Sequence, residues 1–235
     1  VVTPPGVDRT GDPVEAVSGA RLVLAVTAAA DATVALHQAI EVIAPGAVYA
    51  DLATGPASLK RELATAAAVR GIEFADVALM ATVPGKGAAT PSLASGPAAS
   101  AYRRLVAPLG ARVEVIGAEP GAAASRKLLR SVVMKGLAAV VIEAMRGGQA
   151  AGDGAWLWGE LVREITSADG DLLARLVSGT GAHALRRQHE MEAAATMLRE
   201  LGIDPVMTDA TVRALGKIVE SETADVPEIP RGLTP

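Results

Sequence analysis

Cysteine is absent from the 235-residue sequence, which excludes disulfide bonds, thiolate metal sites and cysteine nucleophiles. Aromatic residues make up only 2% of the chain while hydrophobic residues make up 50%, so the core must be built largely from alanine, valine and leucine. The net charge is −4 and no long basic run occurs, which argues against a nucleic-acid-binding surface. No apolar run reaches the ~18 residues of a membrane span, and no signal-peptide pattern occurs. We therefore expect a cytoplasmic protein that binds neither nucleic acid nor membranes.

Several motifs of catalysis and nucleotide binding are also missing. The chain has no G-x-S-x-G nucleophile elbow, no Walker-type G-x-x-x-x-G-K-[ST] loop and no G-x-G-x-x-G turn after a strand. His37, His183 and His189 do not pair with carboxylates at a ligand spacing, so no metal site is predicted. The glycine-rich segment Gly85–Thr90, which contains Lys86, is either an anion-binding loop or a flexible connection.

Strand-like apolar runs alternate with helical patterns in the first half of the chain. The strand-like runs occupy residues 21–27, 47–52, 72–80, 92–96 and 112–116. The helical patterns between them occupy residues 31–43, 57–70 and 97–109, and a short helix over 13–17 precedes them. This order predicts a Rossmann-like α/β fold with a mostly parallel sheet.

The second half shows helical patterns only. A long helix over Gly117–Met145 carries apolar residues at intervals of three and four, which predicts burial between two bodies of protein. Further helices are predicted at 155–166, 169–177, 182–201 and 205–220, the last with Asp204 as its N-cap. The predicted organisation is an α/β domain over 1–117, an all-α domain over 118–223 and a flexible tail over 224–235.

Four segments resemble the β-hydroxyacid dehydrogenase superfamily, which includes 3-hydroxyisobutyrate and 6-phosphogluconate dehydrogenases. The closer resemblance is to 6-phosphogluconate dehydrogenase-like proteins with a distinctive C-terminal helical domain. Asp51–Thr54 resembles the family's D-x-S-T segment, and Phe74–Gly96 resembles its strand, glycine-rich substrate loop and returning strand. Gly117–Ser131 resembles the G-x-x-G-x-x-x-K-x-x-x-N start of the interdomain helix, and His189–Thr208 resembles the late helix that faces the substrate.

The chain departs from the family at most polar positions of these segments. Ala53 replaces the family's serine, residues 83–85 (Val-Pro-Gly) replace Ser-Gly-Gly, and Ser131 replaces asparagine. The Lys-Asp pair of the late helix is His189-Glu190, whereas the catalytic lysine is retained as Lys127. These departures predict a substrate other than hydroxyisobutyrate or phosphogluconate.

The resemblance implies an NAD- or NADP-dependent oxidoreductase that acts on a small hydroxy acid or related carbonyl compound. Lys127 is the implied general acid or base. The implied substrate-binding residues are Thr54, Pro84, Gly85, Ser131 and His189. The implied cofactor-binding residues are Thr27, Ala28, Thr54 and Gly121. The resemblance also implies a homodimer formed through the C-terminal helices.

Alternatives remain at each of these positions. Lys127 with Arg126 and Arg130 also fits a solvated helix face, Thr54 fits a helix N-cap, and His189 fits an ordinary polar helix residue. Family members begin with a strand and a G-x-G-x-x-G turn, and we expect this first unit to be missing here. A chain without that turn lacks the main anchor of a dinucleotide pyrophosphate. The alternative function is therefore a non-catalytic, dimerising protein with weak cofactor binding.

Overall fold

The computed structural model, which describes residues 6–221 and 226–228, contains one five-stranded sheet in the order β1-β2-β3-β4-β5. The strands are β1 (Leu22–Ala25), β2 (Val48–Asp51), β3 (Glu73–Leu79), β4 (Ser92–Ser95) and β5 (Val113–Gly117). Neighbouring strands run parallel except β3 and β4, which are antiparallel because a loop rather than a crossover helix joins them. The predicted Rossmann-like, mostly parallel sheet is confirmed.

Helices cover both faces of this sheet. They are α1 (Pro13–Val17), α2 (Ala32–Ile40), α3 (Ala57–Val69) and α4 (Ala99–Val106). Successive strand residues point to opposite faces, so Tyr49 and Phe74 pack with α2 and α3 while Val48 and Val77 pack with α4. Tyr49 and Phe74 stack with ring centroids 6.4 Å apart. The central strands β2, β3 and β4 are therefore largely buried on both sides, whereas the edge strands β1 and β5 are partly exposed.

The remaining helices are long. They are α5 (Ala122–Ala151), α6 (Gly154–Thr166), α7 (Gly170–Glu200) and α8 (Val206–Glu220). The chain divides into two compact units inside α5, between Val133 and Met134. The first unit holds the sheet and the second holds α6, α7 and α8, which confirms the predicted order of an α/β part followed by a helical part.

The range of α7 contains two helical segments that meet at a kink, where the backbone of His183 leaves helical geometry with φ of −128° and ψ of 22°. The prediction of separate helices at 169–177 and 182–201 is therefore confirmed, although the first helix continues beyond residue 177. Gly179 and Gly181 dilute the apolar pattern just before this kink, which explains why the sequence suggests a gap. The predicted tail over 224–235 lies outside the described residues except for 226–228.

No helix in the described ranges is long and apolar enough to cross a membrane.

A buried glutamate of α5 caps the start of α8. The Glu143 carboxylate accepts hydrogen bonds from the Met207 N–H at 2.7 Å, the Thr208 N–H at 2.8 Å and the Thr208 hydroxyl at 2.7 Å. These are the free N–H groups of a helix start, which an N-cap side chain normally satisfies. The prediction that Asp204 caps this helix is wrong, because no neighbouring side chain bonds the helix start and Glu143 takes that role from another helix.

We expect Glu143→Gln to lower the free energy of unfolding by about 1–3 kcal/mol, because a neutral amide accepts these bonds less well and its NH2 faces a donor. Although burial raises the pKa of Glu143, the bonds from Thr208 and Met207 outweigh it and the pKa is lowered from its usual value of 4.5. The stabilisation is therefore complete above the unfolded-state pKa and is lost as the pH falls through the lower folded-state pKa. Urea unfolding at pH 7 and below pH 4 measures both effects.

The control for this prediction is Glu164→Gln, at an exposed position on α6. We expect the control to change stability by less than about 0.5 kcal/mol. Equal losses from the two variants would contradict the capping role of Glu143.

Candidate active site

One row of residues crosses the sheet where several strands end. Ala25, Asp51, Asp76, Ser95 and Gly117 are successive partners across the five strands. β1 and β2 end at this row, and so do β4 and β5. The segments that leave β1 and β2 extend to the same side of this row, and they contain Thr27, Ala28 and Thr54, three of the residues predicted to bind cofactor or substrate.

A lysine of α3 lies buried against this row. Lys60 is fully buried, and its ammonium nitrogen lies 2.8 Å from Asp51 Oδ2 and 3.3 Å from Asp76 Oδ1. The contact with Asp76 has the distance of an ion pair without the geometry of a hydrogen bond. Lys60 also donates to the carbonyl oxygen of Ala53 at 2.7 Å and to that of Asp51 at 3.3 Å. The buried ammonium is thus surrounded by acceptors, as a charge removed from water requires.

The same row holds the start of α5. Asp76 Oδ2 accepts hydrogen bonds from the Ala124 N–H at 3.0 Å and from the Ser95 hydroxyl at 3.1 Å. Ser95 Oγ in turn accepts the Ala123 N–H at 3.0 Å. Free N–H groups of the first turn of α5 are therefore satisfied by side chains of β3 and β4. The Asp76 carboxylate also interacts favourably with the positive, N-terminal end of the α5 dipole.

Gly121 brings the start of α5 against the start of α3. Its φ is 96°, and a Cβ at this position would lie 2.8 Å from Ala57 Cα and 2.9 Å from the Ala57 carbonyl oxygen. Only glycine adopts this backbone conformation freely and leaves this space open. The missing side chain of Gly121 therefore serves helix packing, and its predicted contact with a cofactor stays a prediction.

Gly121→Ala should lower the free energy of unfolding by about 2–4 kcal/mol, because the new methyl group meets backbone atoms and the φ angle becomes strained. Gly136→Ala, inside α5, is the control, since nothing lies within 4 Å of its added Cβ. We expect the control to be neutral or to stabilise by up to about 1 kcal/mol. Thermal unfolding of both variants measures the difference. A Gly121→Ala variant as stable as wild type would contradict the close approach of α3 and α5.

Four of the predicted site residues follow strands of the row or lie on the helix that adjoins it. Thr27 and Ala28 follow β1, Thr54 follows β2, and Lys127 lies one turn after Ala124 on α5. Thr54 is exposed and does not cap α3, whose first residue follows Pro56 without a side-chain cap. The N-cap alternative for Thr54 is therefore wrong, which leaves its hydroxyl available to a ligand.

The other predicted substrate residues belong to other elements of the chain. Pro84 and Gly85 are exposed in the loop after β3, and Ser131 is half-buried on α5. His189 is exposed on α7 in the second unit. Their proposed contacts with substrate stay predictions. No group of three side chains able to hold a metal ion was found among the described residues.

The hydroxyl of Thr27 fits a missing ligand. Its oxygen is buried, yet it has no hydrogen-bond partner within the described part of the chain. It lies just past the carboxyl end of β1, and ligands of open α/β sheets bind at the carboxyl ends of strands. A buried polar atom without a partner is costly, so a ligand that hydrogen-bonds Thr27 would be stabilised here.

Burial and a nearby charge also keep the phenol of Tyr49 protonated. Burial, together with the Asp51 carboxylate, raises the pKa of Tyr49 above its usual value. Tyr49 therefore stays neutral at physiological pH and acts as a packing residue below the row.

Lys60, Asp76 and Ser95 are functional candidates that sequence reasoning did not identify. A signal for Lys60 was present, because Leu63, Ala64 and Ala67 follow at the spacing of one buried helix face. A lysine on such a face must find buried carboxylates. Asp51 at the end of β2 and Asp76 inside β3 are carboxylates in otherwise apolar strands, and they supply the partners of Lys60.

Comparisons with known proteins agree with this fold. Residues 149–218 match a domain of unknown function, DUF1932. A conserved hypothetical protein from Sinorhizobium meliloti 1021 is 28% identical, with a TM-score of 0.54, over 94% of this chain and 72% of its own. A protein of unknown function described as similar to 3-hydroxyacid dehydrogenases is 27% identical, with a TM-score of 0.54, over 92% of this chain and 81% of its own.

An imine reductase from Myxococcus stipitatus, solved with NADP+, is 22% identical, with a TM-score of 0.74, over 90% of this chain and 79% of its own. At that identity the likeness shows the fold alone. None of the curated proteins matches the sequence. The predicted resemblance to the β-hydroxyacid dehydrogenase superfamily is confirmed by the matched helical domain together with the similar structures.

Proposed function

We propose that this chain, a relative of the β-hydroxyacid dehydrogenase superfamily, is an NAD(P)-dependent oxidoreductase in which Lys127 transfers the proton. The observation that carries the proposal is where Lys127 stands. Its helix begins on the buried row, and Ala123 and Ala124, which precede it by one turn, are buried against the sheet. Residues three and four apart share a helix face, so half-buried Lys127 lies on the anchored side of α5.

The residues present fit a dinucleotide at the edge of the sheet. Thr27 offers a hydroxyl without a partner after β1, and Thr54 offers an exposed hydroxyl after β2. Related folds are solved with NADP+ and with NAD+, which supports either cofactor. Thr27, Ala28 and Thr54 would hold the cofactor, which supplies or accepts the hydride when bound.

Lys127 favours an oxygen substrate. A protonated lysine donates to the oxygen of a carbonyl as that oxygen gains negative charge, and a neutral lysine accepts the proton of a hydroxyl. A basic imine instead arrives already protonated as an iminium cation, which needs no proton donor and is repelled by a lysine ammonium. Ser131, one turn after Lys127, would orient the substrate or the amine. We therefore infer a hydroxyl or carbonyl substrate, although imine reductases share the fold.

The experiment is a panel of turnover assays with NADH, NADPH and their oxidised forms. The panel includes short 2- and 3-hydroxy acids, the corresponding keto acids and cyclic imines. We expect turnover of a hydroxy acid or keto acid and slower turnover of imines. Turnover of imines alone would overturn the role of Lys127 as a donor to oxygen. No cofactor binding by calorimetry, together with no turnover, would overturn the proposed function and favour the non-catalytic alternative.

Dimerisation is proposed from the apolar surface of the long helices. Along α5, Leu129 is 70% exposed, Val132 is 71% exposed and Val133 is 65% exposed. On α6, Trp156 is 66% exposed and Trp158 is 56% exposed. The sequence predicts that the apolar face of α5 is buried, yet Leu129, Val132 and Val133 are exposed in the single chain. Large apolar side chains exposed along a helix are typical of an interface, and a second copy would bury them.

We expect a homodimer at micromolar concentration, measured by light scattering. Val132→Glu should shift the mass toward that of a monomer, because it places a charge in an apolar interface. Glu164→Gln, on the exposed surface of α6, leaves the mass unchanged if α5 forms the interface. A wild-type chain with the mass of a monomer would contradict dimerisation through these helices.

A further inference from the structure

We infer that Asp76 and Ser95 are positioning residues for Lys127, an inference that rests on the proposed function of that lysine. Both side chains lie under the start of α5 and are fully buried. Neither residue type is expected inside an apolar strand, where an aspartate or serine must find buried partners. The partners found here are the first free N–H groups of the helix that bears Lys127.

The hydrogen bonds that Asp76 and Ser95 accept from α5 fix the position of the start of this helix relative to the sheet. The residue before the helix, Gly121, has no side chain and offers no cap of its own. The Ala123 N–H and the Ala124 N–H therefore depend on Ser95 Oγ and Asp76 Oδ2, both at 3.0 Å. Ser95 also donates to Asp76 Oδ2, which ties the two acceptors to each other. A helix held in this way at its first turn presents Lys127 at a fixed height one turn later.

The second oxygen of Asp76 explains why an aspartate is required. Asp76 Oδ1 faces the Lys60 ammonium at 3.3 Å, while Asp76 Oδ2 faces the Ser95 hydroxyl and the Ala124 N–H. Both oxygens thus face donors. An asparagine would turn its own NH2 toward one of these donors in either orientation. A carboxylate therefore suits this position, because Oδ2 accepts two hydrogen bonds while Oδ1 lies at ion-pair distance from the Lys60 ammonium.

Chemistry is sensitive to such positioning. A displacement of ~1 Å of a catalytic group lowers a rate by as much as about a hundredfold. We expect Ser95→Ala to lower kcat about tenfold with KM within about twofold of wild type, because Lys127 acts on the reacting atoms and not on uniform substrate binding. Asp76→Asn should lower kcat further. Ser95→Thr, which restores the hydroxyl, should recover part of the loss.

The matched control is Ser92→Ala on the same strand. Ser92 donates to the Arg112 carbonyl oxygen at 3.1 Å and makes no hydrogen bond to α5. We expect kcat within about twofold of wild type for this variant. A Ser95→Ala variant with the kinetics of Ser92→Ala would overturn the positioning role.

A second measurement does not depend on turnover. Isotope-labelled methyl groups on the lysine amines, followed by NMR, report the environment of each lysine separately. Ser95→Ala should change the chemical shift of Lys127 while leaving those of Lys86, Lys135 and Lys217 unchanged. Exchange of the Ala123 and Ala124 amide protons should also become faster.

The two measurements separate the two proposals. If the wild-type chain turns over none of the substrates but Ser95→Ala moves the Lys127 resonance, the proposed function fails and the positioning of Lys127 stands. If wild type is active and Ser95→Ala leaves both kcat and the Lys127 resonance unchanged, the positioning inference is overturned and the proposed function stands.

Discussion

Replacing Lys127 by alanine should lower kcat by about a hundredfold to ten-thousandfold on any substrate of the panel that wild type turns over. The expected loss is that of a general acid–base group, since the hydride and the proton must move in the same reaction. KM should change little, because the amine acts on the substrate oxygen chiefly as its charge develops. Steady-state kinetics with saturating cofactor measures both constants.

Two further variants make the Lys127 result specific. Lys127→Arg keeps the positive charge but does not give up a proton at accessible pH, so it should not restore the rate of oxidation. Arg126→Ala removes the neighbouring, exposed cation and should leave kcat within about twofold of wild type. A loss from Arg126→Ala equal to that from Lys127→Ala would favour the solvated-face alternative, in which the charges of this helix act only through the general field.

The order of strands and helices was predictable because each element carries its own pattern. Alternating apolar runs and helical spacings give the sheet and its helices, and the short helix at Pro13–Val17 follows from Asp12 as N-cap and Pro13 at the first position. Patterns of this kind depend on near neighbours in the chain. They failed where a distant residue decides the local structure, as at the start of α8, which Glu143 caps from α5.

The candidate site also contains residues that local patterns predict and residues that only distant contacts reveal. Lys127 is predicted from a resemblance carried by the short segment Gly117–Ser131, whereas the residues under its helix come from separate elements. Asp76 lies in β3 and Ser95 in β4, and only the sheet register places them beside each other and below α5. The register depends on the loop between these strands, whose return path the sequence alone does not determine. Thr54 is a local case, since Pro56 rather than Thr54 precedes α3.

Lys60 is the position where substitution should cost most stability. We expect Lys60→Met to lower the free energy of unfolding by about 3–5 kcal/mol, because it leaves the Asp51 and Asp76 carboxylates buried without their cation. Methionine matches the length of the lysine stem, so the loss of packing is small. Arg61→Met, at the next and exposed position, should change stability by less than about 0.5 kcal/mol. Urea unfolding of the two variants at pH 7 gives the comparison.

The size of the Lys60 effect should depend on the partner charges. If the cost arises from uncompensated carboxylates, Lys60→Met combined with Asp51→Asn should be more stable than Lys60→Met alone, because one buried charge is gone. If the cost instead came from lost packing, the second substitution would add to the first. Asp51 is 1% exposed and lies 2.8 Å from Lys60 Nζ, so water cannot replace the ammonium without entering the row. Additive losses would therefore contradict the buried ion pair as the source of stability, and with it the basis on which Asp76 holds the start of α5.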